Sequence, residues 1–469
     1  MSLSDCRGIP VSTQNRTLIQ QYEQAVELSA GYFLDPFATI QTALEIDPTF
    51  AAGHCLRAGL IITATDRALL PMLRESIEAV EALGRRANDR ERAHIGAARD
   101  WLEGDFAGAV QAYGNILLDY PRDLFALQVA HVGDFFLGSA GMLRDRVAQV
   151  LPHWHADIPG FGYVLGMHAF GLEETALYAK AEDTGRRALE LNARDPWAVH
   201  AVTHVMEMQG RMRDGIEWLA TREADWARDN GFAFHNWWHL ALFHLDLGET
   251  QPVIELFDRR IRPQPTQAPL EMIDGAALLW RLTLRGVDVG ERWEPLADAW
   301  SPSAEHAYYA FNDVHAVMAL TGAQRIDAAR SVVAALERRA SGTDTNAVMS
   351  REVGLPVAQA LLAFAIGEYA RCVDLLLPVR SIAHRCGGSH AQRDVIHLTL
   401  LEAALRSGKH KLARALAAER TQLKPTNPFN WQLTARSLDA GGDAEGAAQA
   451  RENAEARRKA QLGMYRAVA

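Results

Sequence analysis

Residues 188–218, ALELNARDPWAVHAVTHVMEMQGRMRDGIEW, contain the pattern that decides the fold. Apolar residues recur every three to four positions on either side of two short breaks, which is the period of an amphipathic helix. The first break, Asp195-Pro196, offers an N-cap followed by a proline that the first helical turn tolerates. The second break, Gly210-Arg211, is typical of a helix end. The segment therefore predicts three helices joined by two tight turns.

The same combination of an Asp or Asn with a nearby Pro recurs along the chain, at Pro48, Pro121, Pro196 and Pro428. The first three of these prolines are 73 and 75 positions apart. Each interval fits two helical hairpins of roughly 34 to 37 residues, the tetratricopeptide period. The sequence therefore predicts an all-α fold, a tetratricopeptide-like superhelix of helical hairpins (an α-solenoid).

The predicted organisation is one helical-repeat domain over residues 1–469. Within it we expect a loose N-terminal part (1–165), a motif-bearing part (166–430) and C-terminal capping helices (431–469). Two stretches predict loops inside this domain rather than boundaries, because a solenoid has no sharp divisions. One is the proline-rich stretch 259–270, and the other is the polar stretch 338–347.

Bulk composition narrows the possible partners and the compartment. Of 469 residues, 48% are hydrophobic, and the formal net charge is −10. This acidic excess argues against a nucleic-acid partner. The four cysteines contain no CxxC pair, no signal peptide is visible, and no apolar run approaches the roughly 20 residues of a spanning helix. The sequence therefore predicts a cytoplasmic protein without a membrane partner.

The predicted helix after Pro196 carries His200, His204 and Glu207, which share one face at i, i+4 and i+7. A His-x3-His pair can chelate a divalent ion, and the carboxylate one turn on can act as a ligand or as a general base. Two other interpretations stay open at this point. The residues can line a polar pocket without a metal, or the imidazoles can be structural and bond to neighbouring groups.

A second pair, His235 and His239, lies in a stretch that also contains Asn236 and Trp238. Its structural interpretation is an aromatic core with buried, hydrogen-bonded histidines. Two such helices one hairpin apart can face each other, which favours a shared ligand or metal site.

Further along, Tyr308, Asn312 and His315 share a face if the region is helical, and Asp313 points toward a neighbouring helix. Asn and Asp are poor residues for a helix interior. Either their polar chemistry outweighs propensity, or Asn312 is the cap of a helix that begins there.

The last cluster, Arg393 and Asp394, follows Gly387-Gly-Ser389. Ser389 is a plausible N-cap, and a helix N-terminus beside an Arg can bind an anion. The alternative is a salt bridge from Arg393 to a carboxylate in a neighbouring repeat.

These motifs resemble the tetratricopeptide repeat protein 38 family between about Gly166 and Pro428. The residues that carry the resemblance are Gly166-Met-His-Ala-Phe-Gly171, Trp197–Met208, His235–Ala241, Phe311-Asn-Asp-Val-His315, Arg351–Pro356, Leu375–Arg380 and Gly387–Val395. The resemblance implies a helical-repeat fold but no established activity. The chain departs from the family pattern at His390 and His397, and at His168 where the family can have tyrosine.

Together these patterns predict one site that binds a small polar molecule, with a peptide as the other partner considered. The predicted metal ligands, for a divalent ion such as zinc, are His200, His204 and His239. The predicted catalytic residues are Glu207, Asp313 and His315. The predicted ligand-binding residues are His235, Asn236, Tyr308, Asn312, Trp238, Arg393 and Asp394. The rival hypothesis is an interaction scaffold with structural histidines, and a third is a hydrogen-bond network between repeats.

Overall fold

The computed structural model describes the backbone of residues 3–468 and the side chains of residues 3–461. Most of the described chain is helical, with almost no sheet, which confirms the predicted all-α class. One small addition is an antiparallel ribbon of strands β1 (Leu3–Ser4) and β2 (Pro10–Val11), in which Leu3 lies opposite Val11. Two residues per strand are too few to give a visible alternation in the sequence.

The helices follow one another with short turns, as the spacing of the punctuation predicts. The first half of the chain contains α1 (Arg16–Ala30), α2 (Pro36–Ile46), α3 (Ala51–Ala64), α4 (Leu70–Leu83), α5 (Asp89–Leu102), α6 (Phe106–Asp119), α7 (Leu124–Phe136), α8 (Ala140–Val150), α9 (Phe161–Glu174), α10 (Tyr178–Leu191), α11 (Pro196–Met208), α12 (Met212–Thr221) and α13 (Glu223–Trp226).

The second half contains α14 (Ala233–Asp246), α15 (Thr250–Leu256), α16 (Pro269–Leu284), α17 (Trp293–Trp300), α18 (Ala310–Gly322), α19 (Ile326–Arg339), α20 (Thr345–Met349), α21 (Leu355–Ala365), α22 (Tyr369–Val379), α23 (His390–Arg406), α24 (His410–Leu423), α25 (Pro428–Ala440) and α26 (Ala444–Val468). The loops predicted at 259–270 and 338–347 fall mainly in the connections before α16 and α20. Of the predicted capping helices, residue 469 lies outside the described residues.

The helices cluster into two compact units. The first contains the chain as far as Val202, together with Ala224–Ala233 and Gly342–Val348. Within it, helices that follow each other pack as pairs: α1 on α2, α3 on α4, α5 on α6 and α9 on α10. These are the helical hairpins that the repeat spacing predicts.

The second unit contains Thr203–Glu223, Phe234–Ser341 and the chain from Met349 onward. Here α21 packs on α22, α24 on α25 and α25 on α26, again as successive hairpins. Helix α16 packs on both α18 and α23, although these helices are far apart in sequence. The division into 1–165, 166–430 and 431–469 stays a prediction.

The predicted helix caps explain several of the turns. Asp123 accepts a hydrogen bond from Ala126 N at the start of α7, and Asn427 accepts from Phe429 N at the start of α25. Asp195 does the same for α11, through Trp197 N at 2.9 Å. Asp47 differs, because its carboxylate accepts from Thr49 N and α3 begins two residues later. Local side-chain hydrogen bonds therefore fix most of the turns that the Asp-Pro pattern marked.

One helical stretch among the described residues, Thr345–Ala365, has the length and composition of a membrane-spanning helix. In the structure 61% of its most apolar window is buried inside the protein, as in a core helix. The cytoplasmic location stays a prediction.

Candidate functional site

Three imidazoles converge inside the second unit. His204 comes from α11, and His235 and His239 come from successive turns of α14; none is more than 4% exposed. The ring centroids of His204 and His239 are 4.5 Å apart, and those of His235 and His239 are 5.0 Å apart. One ring nitrogen from each lies within 4.8 Å of one from each of the others. The i,i+4 spacing on α14 and the position of α11 therefore bring together histidines that are 35 residues apart.

Two buried carboxylates hold these rings by their Nδ1 atoms. His239 Nδ1–H donates to Glu207 Oε2 at 2.8 Å, and His235 Nδ1–H donates to Asp274 Oδ2 at 2.6 Å. Both carboxylates are largely removed from solvent, with side-chain exposures of 10% and 0%. A carboxylate on Nδ1 fixes the tautomer that leaves the Nε2 lone pair for a ligand. This is the arrangement that orients metal-binding histidines in proteins.

The electrostatics of the cluster favour a neutral imidazole at His239. Burial lowers the pKa of His239 well below its ordinary value, and the charges of His204, His235, Arg281 and Lys424 lower it further. The ring therefore stays neutral at physiological pH, and a neutral imidazole is the form that binds a metal.

Trp238 and Arg281 complete the surroundings of the rings. The indole of Trp238 stacks on His235, with centroids 5.3 Å apart and planes 11° apart, and it meets His239 edge-on. The guanidinium of Arg281 lies 5.3 Å from the centroid of Trp238. Arg281 is buried and donates to the backbone oxygens of Ala277 and Ala391. It is thus a fixed cation close to the cluster.

Asp274 and Arg281 were missed by the sequence analysis. Both lie on α16, seven residues apart, on a helix that is otherwise mostly apolar. Residues at i and i+7 share a face, so the same spacing that singled out the histidines was present here. A charged pair on the buried face of an apolar helix is the signal that could have found them.

Helix α18 begins before Asn312, so the interpretation of Asn312 as its N-cap is wrong. Tyr309 is the N-cap residue and Ala310 the first helical residue, so Asn312 lies in the first turn and is not the cap. Tyr308 precedes the helix and does not share its face with Asn312 and His315, which corrects that part of the prediction.

Two buried groups on α18 have strongly shifted acid–base properties. Burial raises the pKa of Asp313 to about 8, and Arg339 only partly opposes this. Burial lowers the pKa of His315 to about 4, although Phe311 O, which accepts from His315 Nδ1–H at 2.7 Å, counters it. His315 Nε2 is buried and has no hydrogen-bond partner among the described residues. At neutral pH, Asp313 thus keeps its proton and His315 offers a lone pair.

The residues at the start of α23 are engaged with their own surroundings. Ser389 is the predicted N-cap and forms a capping box with Gln392. Arg393 donates to Gly388 O and to His390 Nδ1, and Asp394 forms a two-point ion pair with Arg420 at 2.5 and 3.1 Å. Asp394 thus forms a salt bridge to α24, whereas a salt bridge from Arg393 to a neighbouring repeat stays a prediction.

His200 lies one turn before His204 on α11 and belongs to the first unit. Its ring packs among Phe170, Trp197 and Phe232, with centroids 5.0 to 5.3 Å away. Its assignment as a metal ligand stays a prediction from the i,i+4 spacing. Asn236 is fully buried in α14 of the second unit.

No family model matches the chain. Similar solved structures include the human IFIT1 dimer with m7Gppp-AAAA, at 12% identity and a TM-score of 0.41 over 95% of this chain and 96% of that one. Another is the Cut9–Hcn1 hetero-tetramer of the APC/C, at 10% identity and a TM-score of 0.36 over 94% and 96%. A third is yeast Tom70, at 14% identity and a TM-score of 0.32 over 93% and 89%.

The exclusion of nucleic acid as a partner is corrected, because net charge alone does not support it. Among the similar structures, IFIT1 was solved with m7Gppp-AAAA and with PPP-AAAA. The net charge of a whole chain averages over its surface and does not describe a local binding site. The specific resemblance to the tetratricopeptide repeat protein 38 family stays a prediction. The successive helical hairpins themselves make this chain a tetratricopeptide-like helical-repeat protein.

Proposed function

We propose that this protein is a metal-binding helical-repeat protein, and that His204, His235 and His239 hold a divalent transition metal such as zinc in its second unit. The observation that carries the proposal is the pair of buried carboxylates, Glu207 and Asp274, each bonded to the Nδ1 of a clustered histidine. A carboxylate that accepts from Nδ1–H is the outer partner that commonly orients a metal-binding histidine.

The donor set fits a first-row transition metal. Imidazole nitrogens suit zinc, copper, nickel and iron, whereas magnesium and calcium prefer oxygen ligands. Zinc–nitrogen bonds of about 2.0 Å in a tetrahedral site place the nitrogens roughly 3.4 Å apart. Ligand nitrogens within 4.8 Å of one another reach that geometry through side-chain shifts of about 1 Å.

A bound metal of this kind acts as a Lewis acid and lowers the pKa of a coordinated water. The chain's own residues orient these ligands, and α18 carries two further buried titratable groups. Glu207 and Asp274 orient the histidine ligands and stabilise positive charge on them. In this proposal Glu207 is therefore a partner of a metal ligand and not the general base that the sequence predicts. His315 Nε2 can accept a proton, and Asp313 can donate one up to about pH 8.

The alternative is an interaction scaffold that binds an extended peptide along a groove. Such a groove needs exposed Asn, Lys and Arg side chains. The polar residues selected from the sequence are instead buried, with exposures of 0% for Asn236, 8% for Asn312 and 6% for Asp313. This burial supports an enclosed site rather than a peptide groove at these positions.

The test is a calorimetric titration of the full chain, stripped with a chelator, with zinc. We expect one site per chain in the wild type and its loss in His239→Ala. His244→Ala is the matched control. His244 is on the same helix, but it is not one of the clustered histidines, and its Nδ1 is hydrogen-bonded to Glu249 Oε2 at a distance of 2.7 Å. Equal zinc binding by His239→Ala and His244→Ala, or no binding by the wild type, would rule out the proposal.

A further inference from the structure

The first unit contains a small polar cavity that is independent of the histidine cluster. Its volume is about 10 Å³, the space that a single water molecule needs. Six of the side chains that line it come from α7, α9 and the ends of α1 and α11: Tyr32, Gln128, Tyr163, Met167, Asp195 and Trp197.

Asp195 presents an unsatisfied carboxylate oxygen in this cavity. Its side chain is fully buried, and Oδ1 accepts from the backbone N–H groups of Trp197 at 2.9 Å and Ala198 at 3.2 Å. Oδ2 has no hydrogen-bond partner among the described residues. A Cβ on Gly166 would lie 2.5 Å from Oδ2, so glycine at that position keeps the space for this oxygen. The helix cap therefore uses one carboxylate oxygen and leaves the other for a ligand.

The charge on Asp195 lacks a cationic partner. Burial raises the pKa of its carboxyl to about 7; the two backbone hydrogen bonds oppose this rise and the charge of Glu27 adds to it. Within the described chain, no Lys or Arg contributes to the shift. An ionised carboxylate buried in this way is unfavourable unless a positive group pairs with it.

The other polar groups of the wall also present oxygen atoms. The Tyr163 hydroxyl donates its proton to Glu27 Oε1 at 2.7 Å, and the phenol oxygen accepts from the Asn192 side chain. Gln128 is held in place by Ser29: its Nε2 donates to Ser29 O at 2.7 Å, and its Oε1 accepts from Ser29 Oγ at 2.8 Å. The amide also donates to the Tyr32 hydroxyl, so its orientation is fixed with one lone pair of Oε1 remaining.

Two aromatic rings form part of the wall. Tyr32 and Trp197 stack with centroids 5.4 Å apart and planes 14° apart, and both line the cavity. The faces of such rings attract cations.

We propose that this cavity binds one dehydrated monovalent cation of about the size of water, ammonium or potassium, with Asp195 Oδ2 as its anionic ligand. The carboxylate balances the charge, Gln128 Oε1 supplies a second oxygen ligand, and the volume excludes larger organic ammonium ions. Binding requires the ionised carboxylate, so the cation competes with protonation of Asp195.

The experiment is thermal unfolding of the full chain at pH 8 in ammonium chloride, potassium chloride or tetramethylammonium chloride at equal ionic strength. We expect the Tm of the wild type to rise by about 2 °C for each tenfold increase in ammonium or potassium above the Kd, relative to tetramethylammonium. Asp195→Asn keeps a good N-cap but removes the charge, and its Tm should not distinguish the three salts. Asp105→Asn, at the exposed cap of α6, is the matched control and should respond as the wild type does.

The difference between ammonium and potassium then identifies the preferred ion. No difference from tetramethylammonium in the wild type would overturn the proposal and mean that a protonated Asp195 holds a neutral water. The same response in Asp195→Asn would also overturn it. If Asp195→Asn does not fold, crystals of the wild type soaked in rubidium chloride give the answer: an anomalous peak beside Asp195 Oδ2 is expected, and its absence contradicts the proposal.

Discussion

Asp274 is the residue whose replacement most sharply separates a metal centre from a structural hydrogen-bond network. Its carboxylate is 0% exposed and accepts from His235 Nδ1–H at 2.6 Å. Asp274→Asn keeps the size and one acceptor oxygen of the side chain. It removes the negative charge that makes the imidazole a better ligand.

The expected magnitude follows from the role of this carboxylate. Loss of a carboxylate partner typically lowers metal affinity 10- to 100-fold, which corresponds to about 1.4 to 2.7 kcal/mol. The stability of the metal-free protein, in contrast to its zinc affinity, should not fall in Asp274→Asn. Because burial raises the pKa of Asp274, the charged form is already unfavourable in the folded state, and a neutral Asn should not lower the Tm of the metal-free protein.

The assay is a competition titration of zinc against a chromophoric chelator, together with thermal unfolding of the metal-free protein. Asp258→Asn is the matched control, because Asp258 is an exposed carboxylate of the same unit, paired with Arg292 at 2.7 Å. Wild-type zinc affinity in Asp274→Asn would refute the orienting role of this carboxylate. If Asp274→Asn lowers the Tm of the metal-free protein but leaves the zinc affinity unchanged, Asp274 has a structural role only.

Other consequences of the structure can be tested by unfolding measurements. Asp123→Ala should cost about 3 to 5 kcal/mol in urea unfolding at pH 7, because it leaves Arg90 buried without its partner at 2.8 Å; Asp105→Ala, an exposed cap, should cost about 1 kcal/mol. Asp313 should make the protein less stable as pH rises from about 4 to about 8, because the unfolded carboxyl ionises over this range while the folded one stays protonated; Asp313→Asn should therefore raise the urea midpoint at pH 8 but not at pH 4. Gly171→Ala should cost about 1 to 3 kcal/mol, since its Cβ would lie 2.4 Å from the backbone of Leu143, whereas Gly96→Ala, with open space around it, should stabilise α5 by about 0.5 to 1 kcal/mol. Equal effects within any of these pairs, or a pH-independent effect of Asp313→Asn, would contradict the corresponding argument.

The fold was largely predictable because its determinants are local. Helical periodicity and side-chain caps act over a few residues. The caps of α11 and α25, for example, depend only on Asp195-Pro196 and Asn427-Pro428 and the residues that follow them. The start of α18 was less certain because two local signals competed there. Asn312 is a good cap by type, yet the helix begins before it at Ala310.

The candidate site was only half predictable, because its determinants are partly long-range. The shared face of His235 and His239 follows from helical spacing. The bond from His235 to Asp274 joins residues 39 apart, and the contact of Trp238 with Arg281 joins α14 to α16. Neither is determined by spacing within one helix, since both depend on how helices of different hairpins pack.

The central claim is that His204, His235 and His239 form one metal centre, and an anomalous difference map at the zinc edge tests it most directly. Crystals of the full chain grown with equimolar zinc should show one strong peak at about 2.0 to 2.2 Å from a ring nitrogen of each of these three histidines. The Nδ1 atoms of His235 and His239 should remain bonded to Asp274 and Glu207. A map with no peak at the cluster, or with zinc only on surface residues, would contradict the account.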